Sequence, residues 1–328
     1  MSLESPAVLS HLTAWLTSAE LCLLRALNCY CHSAIPRHTW ELTATNVSNA
    51  EVMAQLAKVF PNVWRLRVQD AILDEMPTMA SLVPWITKNW KLRELELTRV
   101  ACIQGFYVYL QTEELKKVTI RQCYQLQEPA IVGPNLESLV IDHCMLTKFH
   151  QETSLPGLKT LSVSSSRNLK ALQARHLIKI VLTACPALET LRLAGCPQLE
   201  QVLVDPGDLP NLRNLDLSSC AKLSRVHVSS KVLETLDLSR NGALQFVLLD
   251  LESVVTLDLS FLKHLTHLYI RSSSLRRLNL RGCDQLVRTT TCVKCPNLQF
   301  VVLQGTTLEV NDLNRDEVDD EVFTLPQS

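Results

Sequence analysis

Thiols come first, because a thiolate can hold a metal or attack a carbon centre. Cys292 and Cys295 stand at C-x-x-C spacing, half of a tetrahedral zinc site, and no second such pair exists in the chain. Cys29, Cys31 and His32 cluster far upstream, and positions in loops and repeats are the better account of these cysteines. Cys31 beside His32 is a thin hint of a nucleophile, since a reactive thiolate needs a basic neighbour and exposure. There is no Gly-rich phosphate loop, no HExxH and no GxSxG, and only eight glycines are scattered through the chain. The expectation is a protein with no enzymatic activity, no cofactor and no bound metal.

Charge offers a second kind of chemistry, binding. Asp216, Asp237 and Asp258 recur at intervals of 21 residues inside the phrase LDLS. On neighbouring strands such residues lie ~4.8 Å apart, where two carboxylates repel by roughly 1 kcal/mol in water. A column of this kind can take a basic segment or a cation; equally, the acids can simply keep a repeat soluble. Arg276, Arg277 and Arg281 surround Asn279 in LRRLNLR. Beside the acids they give a bipolar surface able to fix the direction of a charged peptide, or else a solvated edge. Asp216, Asp237, Asp258, Asn279, Arg276, Arg277 and Arg281 are therefore the expected contacts to a client protein. Leu203, Phe246, Leu248 and Tyr269 fall at outward positions of a second strand series, where they form an apolar patch, unless the register slips by one residue and buries them.

The gross numbers agree with binding. The chain has 328 residues and a net charge of −1, which argues against a general nucleic-acid binder. Apolar residues make up 47%, yet aromatics only 5%, and this leucine-dominated balance suits stacked repeats better than a compact enzyme. The start, MSLESPAVLSHL, has no basic region followed by an apolar core, and no run of about 18 apolar residues appears. The twelve cysteines are then expected to be reduced, in the cytoplasm, the nucleus or both, with no membrane partner.

What positions these side chains is a repeat. LxxLxL, with Val or Ile allowed for Leu, begins at Val63, Leu92, Leu115, Leu136, Leu158, Leu188, Leu212, Leu233, Val254, Leu275 and Leu298. In a strand, side chains alternate faces, so the fourth and sixth positions point inward and the fifth outward. One such strand cannot bury its apolar face alone, and neighbours must stack. Cys123, Cys144, Cys196, Cys220, Asn241 and Cys283 follow the last apolar position by three, where the chain leaves the strand. An Asn there can bond free backbone groups, and a thiol is a weaker substitute. This pattern resembles the leucine-rich repeat, in the cysteine-containing form found in many F-box proteins, over roughly residues 55–310.

A second series begins at Leu146, Leu169, Leu199, Leu223, Leu244, Leu265 and Leu286. From Leu212 onward the full period of 21 is too short for an outer helix, so two-strand repeats are expected in the C-terminal half. Two wider gaps, holding MPTMASLVPWITKNW and LQARHLIKIVLTACP, predict helices, the second from Leu177, Ile178, Val181 and Leu182 at helical spacing. Helix-bearing repeats are thus expected in the N-terminal half. The fold class is α/β: a leucine-rich-repeat solenoid of short parallel strands.

Residues 5–42 have helical spacing instead. Val8, Leu9, Leu12, Trp15 and Leu16 share one side of a first helix. Thr17 to Glu20 fits a capping box opening a second, and Pro36 and Trp40 begin or occupy a third. Pro6, Val8-Leu9, Trp15-Leu16, the leucines from Leu21 to Leu27 and the closing Trp40 resemble an F-box, although Asn28-Cys29-Tyr30-Cys31-His32 stands where basic residues are usual. That resemblance implies docking to a Skp-type adaptor through Pro6, Leu9, Leu12, Leu16 and Leu21. With the repeats behind it, it implies a substrate receptor of a cullin-based (SCF-type) ubiquitin ligase. The alternative is a repeat scaffold whose N-terminal helices only cap the first coil. The expected domains are a helical module at 1–45, the solenoid at 46–310 and an acidic tail at 311–328.

Overall fold

A computed structural model describes residues 16–25, 29–46, 50–71, 90–101, 107–109, 114–127, 130–151 and 155–313. Two compact units divide the chain, Met1–Arg167 and Asn168–Ser328. Each is built of stacked, parallel short strands.

The first unit opens with helix α1, Ser18–Arg25. The Glu20 carboxylate accepts the Thr17 amide at 2.7 Å and the Thr17 hydroxyl at 2.8 Å, while the Glu20 amide donates to Thr17 Oγ1 at 3.4 Å. This is the reciprocal pair that a capping box requires. Helix α2, Cys29–His38, holds Pro36 in its last turn, and the Thr39 hydroxyl caps it by donating to the Ile35 carbonyl at 2.6 Å. Trp40 lies beyond that helix; its carbonyl accepts the Trp64 and Arg65 amides and so starts the sheet. Strand β1 (Glu41–Thr45), helix α3 (Ala50–Val59), β2 (Arg65–Gln69) and β3 (Glu94–Thr98) follow, then β4 (Tyr107–Tyr109) and β5 (Lys117–Arg121). The unit ends with β6 (Ala130–Val132), β7 (Ser138–Asp142), β8 (Lys148–His150) and β9 (Thr160–Ser164).

Strands β1, β2, β3, β5, β7 and β9 form one parallel sheet in unbroken register. Their inward residues are the fourth and sixth leucine positions: Leu66 and Val68, Leu95 and Leu97, Val118 and Ile120 are all at most 1% exposed. Each strand then exits through one residue in the left-handed region, such as Asp70, Arg99, Gln122 and His143. The expected helix around 76–90 lies almost wholly outside the described residues. In the coils from Leu92 to Leu158, where outer helices are expected, the described outer residues form short strands instead, and β4 and β6 pair in parallel.

The second unit holds β10 (Ala171–Gln173), β11 (Lys179–Thr183), β12 (Thr190–Arg192), β13 (Gln201–Val204), β14 (Asn214–Asp216), β15 (Arg225–Ser230) and β16 (Thr235–Asp237). It continues with β17 (Phe246–Leu251), β18 (Thr256–Asp258), β19 (His267–Arg271), β20 (Arg277–Asn279), β21 (Thr291–Lys294) and β22 (Phe300–Val302). The helix expected across Leu177–Leu182 is absent, and strand β11 stands there. A short run with apolar residues at i, i+1, i+4 and i+5 fits either period, and its β-branched Ile178, Ile180 and Val181 favour the strand.

That extra strand changes the phase of the repeat. β10 belongs to the second leucine series and β12 to the first, yet they pair directly, Leu172 opposite Leu191. The sheet then runs on through β14 and β16. On the other side β13, β15, β17, β19 and β21 form a second sheet. β18, β20 and β22 form a third.

Candidate functional site

The outward face of the first unit neutralises itself. Glu41, Arg65, Glu94 and Lys117 stand in register on successive strands, with Arg67 opposite Glu96 in the next row. Arg65 lies 3.2 Å from Glu94, Arg67 3.3 Å from Glu41 and 3.4 Å from Glu96, and Arg121 3.0 Å from Glu96. Lys159 and Lys116 likewise hold the Glu137 carboxyl below its ordinary range. Exposed pairs of this kind add little stability each. Their consequence is chemical, because the charges are engaged with one another and little is left for a partner.

The second unit has such pairs too, Arg213 with Glu234, Lys231 with Glu252 and Arg271 with Asp250, but among the described residues none at the expected client contacts. The expected Asp column is only partly assembled: Asp216 is in register with Asp237 and Asp258 with Asn279, while β16 and β18 belong to separate sheets. Each of these side chains has a structural duty. Asp216, Asp237 and Asp258 accept the amides of Ser218, Ser239 and Ser260 at 3.0, 2.9 and 2.9 Å, and Asn279 accepts the Arg281 amide at 3.1 Å. These are Asx turns that carry the chain off the strand. Each Asp keeps a second oxygen, and with Arg192 the pair Asp216 and Asp237 lines a shallow depression of about 250 Å³.

Arg276, Arg277 and Arg281 are exposed and form no ion pair among the described residues. Two of them lie over aromatic rings instead: Arg277 is 5.5 Å from the Phe300 centroid and Arg281 is 5.6 Å from that of Phe261. Both rings are open to solvent, Phe261 at 59% and Phe300 at 61% exposure. Phe261 also holds φ +60 where the following coil has Gly282 at φ +72. A bulky residue with positive φ is strained. A Cβ on Gly282 would sit 2.9 Å from the Phe261 ring, so this glycine makes room for the aromatic. Exposed arginine–aromatic pairs are the composition of an interface hot spot. Sequence reading found the arginines but missed both rings; the available signal was an aromatic standing where other coils carry Ser219, Arg240 or Gly282.

On the second sheet the expected outward positions hold. Leu203, His227, Leu248 and Tyr269 form one row, and Arg225, Phe246 and His267 the next. Leu203 is 69% exposed, and the other three apolar members of the expected patch are half-buried. Phe246 and His267 stack at 4.4 Å and 19°, with Arg225 5.5 Å from the Phe246 centroid. Burial holds both His227 and His267 below the ordinary imidazole range, so both rings are neutral at pH 7.

Of the expected adaptor contacts, Pro6, Leu9 and Leu12 lie outside the described residues. Leu16 is half-buried. Leu21 is fully buried within the chain itself, in the helix whose preceding Thr17 bridges to Thr43 of β1, so it serves the chain's own core. Leu23 of α1 is 71% exposed.

Among the cysteines whose side chains are described, Cys22 is exposed and the other eight are buried. Sγ of Cys220 donates to the Leu193 carbonyl at 3.3 Å and Sγ of Cys283 to the Leu259 carbonyl at 3.1 Å, each reaching the preceding coil. Burial pushes the thiols of Cys123 and Cys283 to about 11 and those of Cys144 and Cys295 to about 12, well away from reactive thiolates. Among the described residues no group of three His, Cys, Asp or Glu side chains could hold a metal, and no helix is long and apolar enough to cross a membrane.

No protein-family model matches the chain. Over 191 residues it is 28% identical to the disease resistance protein RPS4B of Arabidopsis thaliana, an alignment covering 52% of this chain and 16% of that protein. The leucine-rich repeat domain of the type III effector XopL aligns with 92% of this chain and 96% of its own, at 18% identity and a TM-score of 0.26. The chain therefore spans about a sixth of the curated relative's length.

Proposed function

We propose that this chain is a protein-interaction scaffold whose client surface lies on the second unit. The observation that carries this reading is the contrast between the paired charges of the first unit's outward rows and the arginines beside Asn279 in the second. Glu41, Arg65, Arg67, Glu94 and Glu96 engage one another, whereas Arg277 and Arg281 form no ion pair among the described residues and lie on exposed phenylalanines. The client-binding set is then Arg276, Arg277, Arg281, Asp216, Asp237, Asp258 and Asn279, joined by Phe261 and Phe300. The carboxylates contribute through the oxygens their turns leave free.

By the resemblance of residues 1–45 to an F-box, the scaffold would serve as the substrate-recognition subunit of an SCF-type ubiquitin ligase. The N-terminal helices would hold a Skp-type adaptor and bring the cullin core near the client, working by proximity. The capped helix α1 with its exposed Leu23 favours this reading; the burial of Leu21 favours a simple cap over the first coil. Co-expression of the full chain with a Skp-type adaptor separates the two. A stoichiometric complex that Leu23→Asp or Leu9→Asp abolishes, with the strand signal intact, supports the ligase receptor. No complex from folded chain leaves the scaffold alone.

A further inference from the structure

Strands β11 and β13 both lie in the second unit, and no backbone hydrogen bond joins them. β13 pairs on one side only, with β15. Between β11 and β13 lies a slot of about 600 Å³. Its floor is apolar, formed by Leu191, Leu193 and Leu199 from the neighbouring coil. Its walls are the inward residues Ile180 and Leu182 on one side and Val202 and Val204 on the other.

This part of the unit is left open. In β15 the inward Val226 and Val228 are 2% and 0% exposed, whereas Ile180 and Leu182 of β11 are only half-buried. Ile178, Val181 and Leu203 around the slot are 46%, 37% and 69% exposed. At the exit of the two strands the Asp205–Leu209 loop closes the slot. Asp208 accepts the Ala184 amide at 2.9 Å through its carboxylate and the Cys185 amide at 3.0 Å through its carbonyl. Asp205 stands beside it with one carboxylate oxygen on the Gly207 amide.

We propose that this slot is a strand-addition site, which takes a short extended segment of another protein between β11 and β13. An extended residue fills roughly 3.3 by 4.8 by 10 Å, about 160 Å³, so the slot admits about four residues. That is the length of β13. The backbone groups of two flanking strands supply the affinity, and the apolar floor takes every second side chain. The inserted segment runs parallel to its neighbours, because both belong to parallel coils. Its last residue then meets Asp205 and Asp208, and this complementarity calls for Lys or Arg at that end. The site is separate from the arginine–phenylalanine surface and does not depend on it.

The probe is the acetylated decapeptide KLSRVHVSSK, the chain's own residues 222–231. It carries the strand that lies parallel to β13 on its paired side, with alternating valines and a closing lysine. Titrated into the full chain, it is expected to bind saturably and to slow hydrogen exchange at residues 178–183 and 201–204. A version N-methylated at alternate amides, which has lost two or three ladder donors, is expected to bind at least about tenfold more weakly. Saturable binding with protection confined to the slot supports strand addition. No binding by about 1 mM, equal binding of the N-methylated peptide, or protection elsewhere overturns it.

Discussion

Asn241 stands where the preceding coil carries Cys220 and a later one Cys283, and it does more than they do. Its Nδ2 donates to the Leu217 carbonyl at 3.0 Å and the Leu238 carbonyl at 2.9 Å, and its Oδ1 accepts the Cys220 amide at 2.8 Å. The side chain is fully buried, so water cannot replace it. Asn241→Ala removes three bonds worth about 0.5–1.5 kcal/mol each and strands at least one buried donor at about 1–3 kcal/mol. Because the carbonyls keep a second lone pair, the donor dominates, and the expected loss is about 3–4 kcal/mol. Asn241→Cys keeps one weak donor toward Leu217, as Cys220 does toward Leu193, and a weak sulfur acceptor for the Cys220 amide, while the strong acceptor and the bond to Leu238 are lost. It should cost about 1–2 kcal/mol, roughly half as much. Urea unfolding followed by circular dichroism reads both as midpoint shifts at unchanged slope. If Asn241→Ala costs less than about 1 kcal/mol, or the two variants cost the same, the idea of a polar ladder stitching coil to coil is wrong.

Gly282→Ala places a Cβ at φ +72 and against the Phe261 ring. It should cost about 1–2 kcal/mol from the backbone, with the ring's share recovered in a Phe261→Ala background; a double-mutant cycle in urea shows whether the two sites couple. Leu21→Asp buries a carboxylate in the cap of the first coil and should destabilise by about 3–5 kcal/mol, while Leu23→Asp stays within about 0.5 kcal/mol; thermal melts of the two distinguish core from surface. Acidification provides the last test. The folded-state imidazoles of His227 and His267 titrate below their unfolded values, so the unfolded chain takes up protons first. Stability is full above the unfolded imidazole value and falls as pH drops from about 7 through about 6 toward the lowered values. The urea midpoint should fall over that window, and His227→Gln with His267→Gln should flatten the fall.

Much of the fold was legible because one spacing fixes two things together. Each of the first-series starts, from Val63 to Leu298, heads a strand, since leucines at the fourth and sixth positions demand an extended chain and name its buried face. Asn241 and the buried cysteines followed from the same logic, as the points where the chain leaves the strand. The stretch from Leu172 to Pro186 did not, because a short run rich in β-branched residues satisfies a helical and an extended period alike. The exchange of leucine series between β10 and β12 was illegible for a deeper reason: pairing partners are set by how many strands intervene, and the single misread strand β11 hides that count. The aspartates carry a further duty that their outward position alone does not show: Asp216-Leu217-Ser218 advertises an Asx turn within three residues. Outward positions of a solenoid serve two needs, closing the turn and meeting a client, and only the first is written in local sequence. Phe261 belongs to the second kind. The turn at its position is made equally by Ser219, Arg240 or Gly282 in other coils, so nothing local calls for the phenylalanine that the proposed client surface uses.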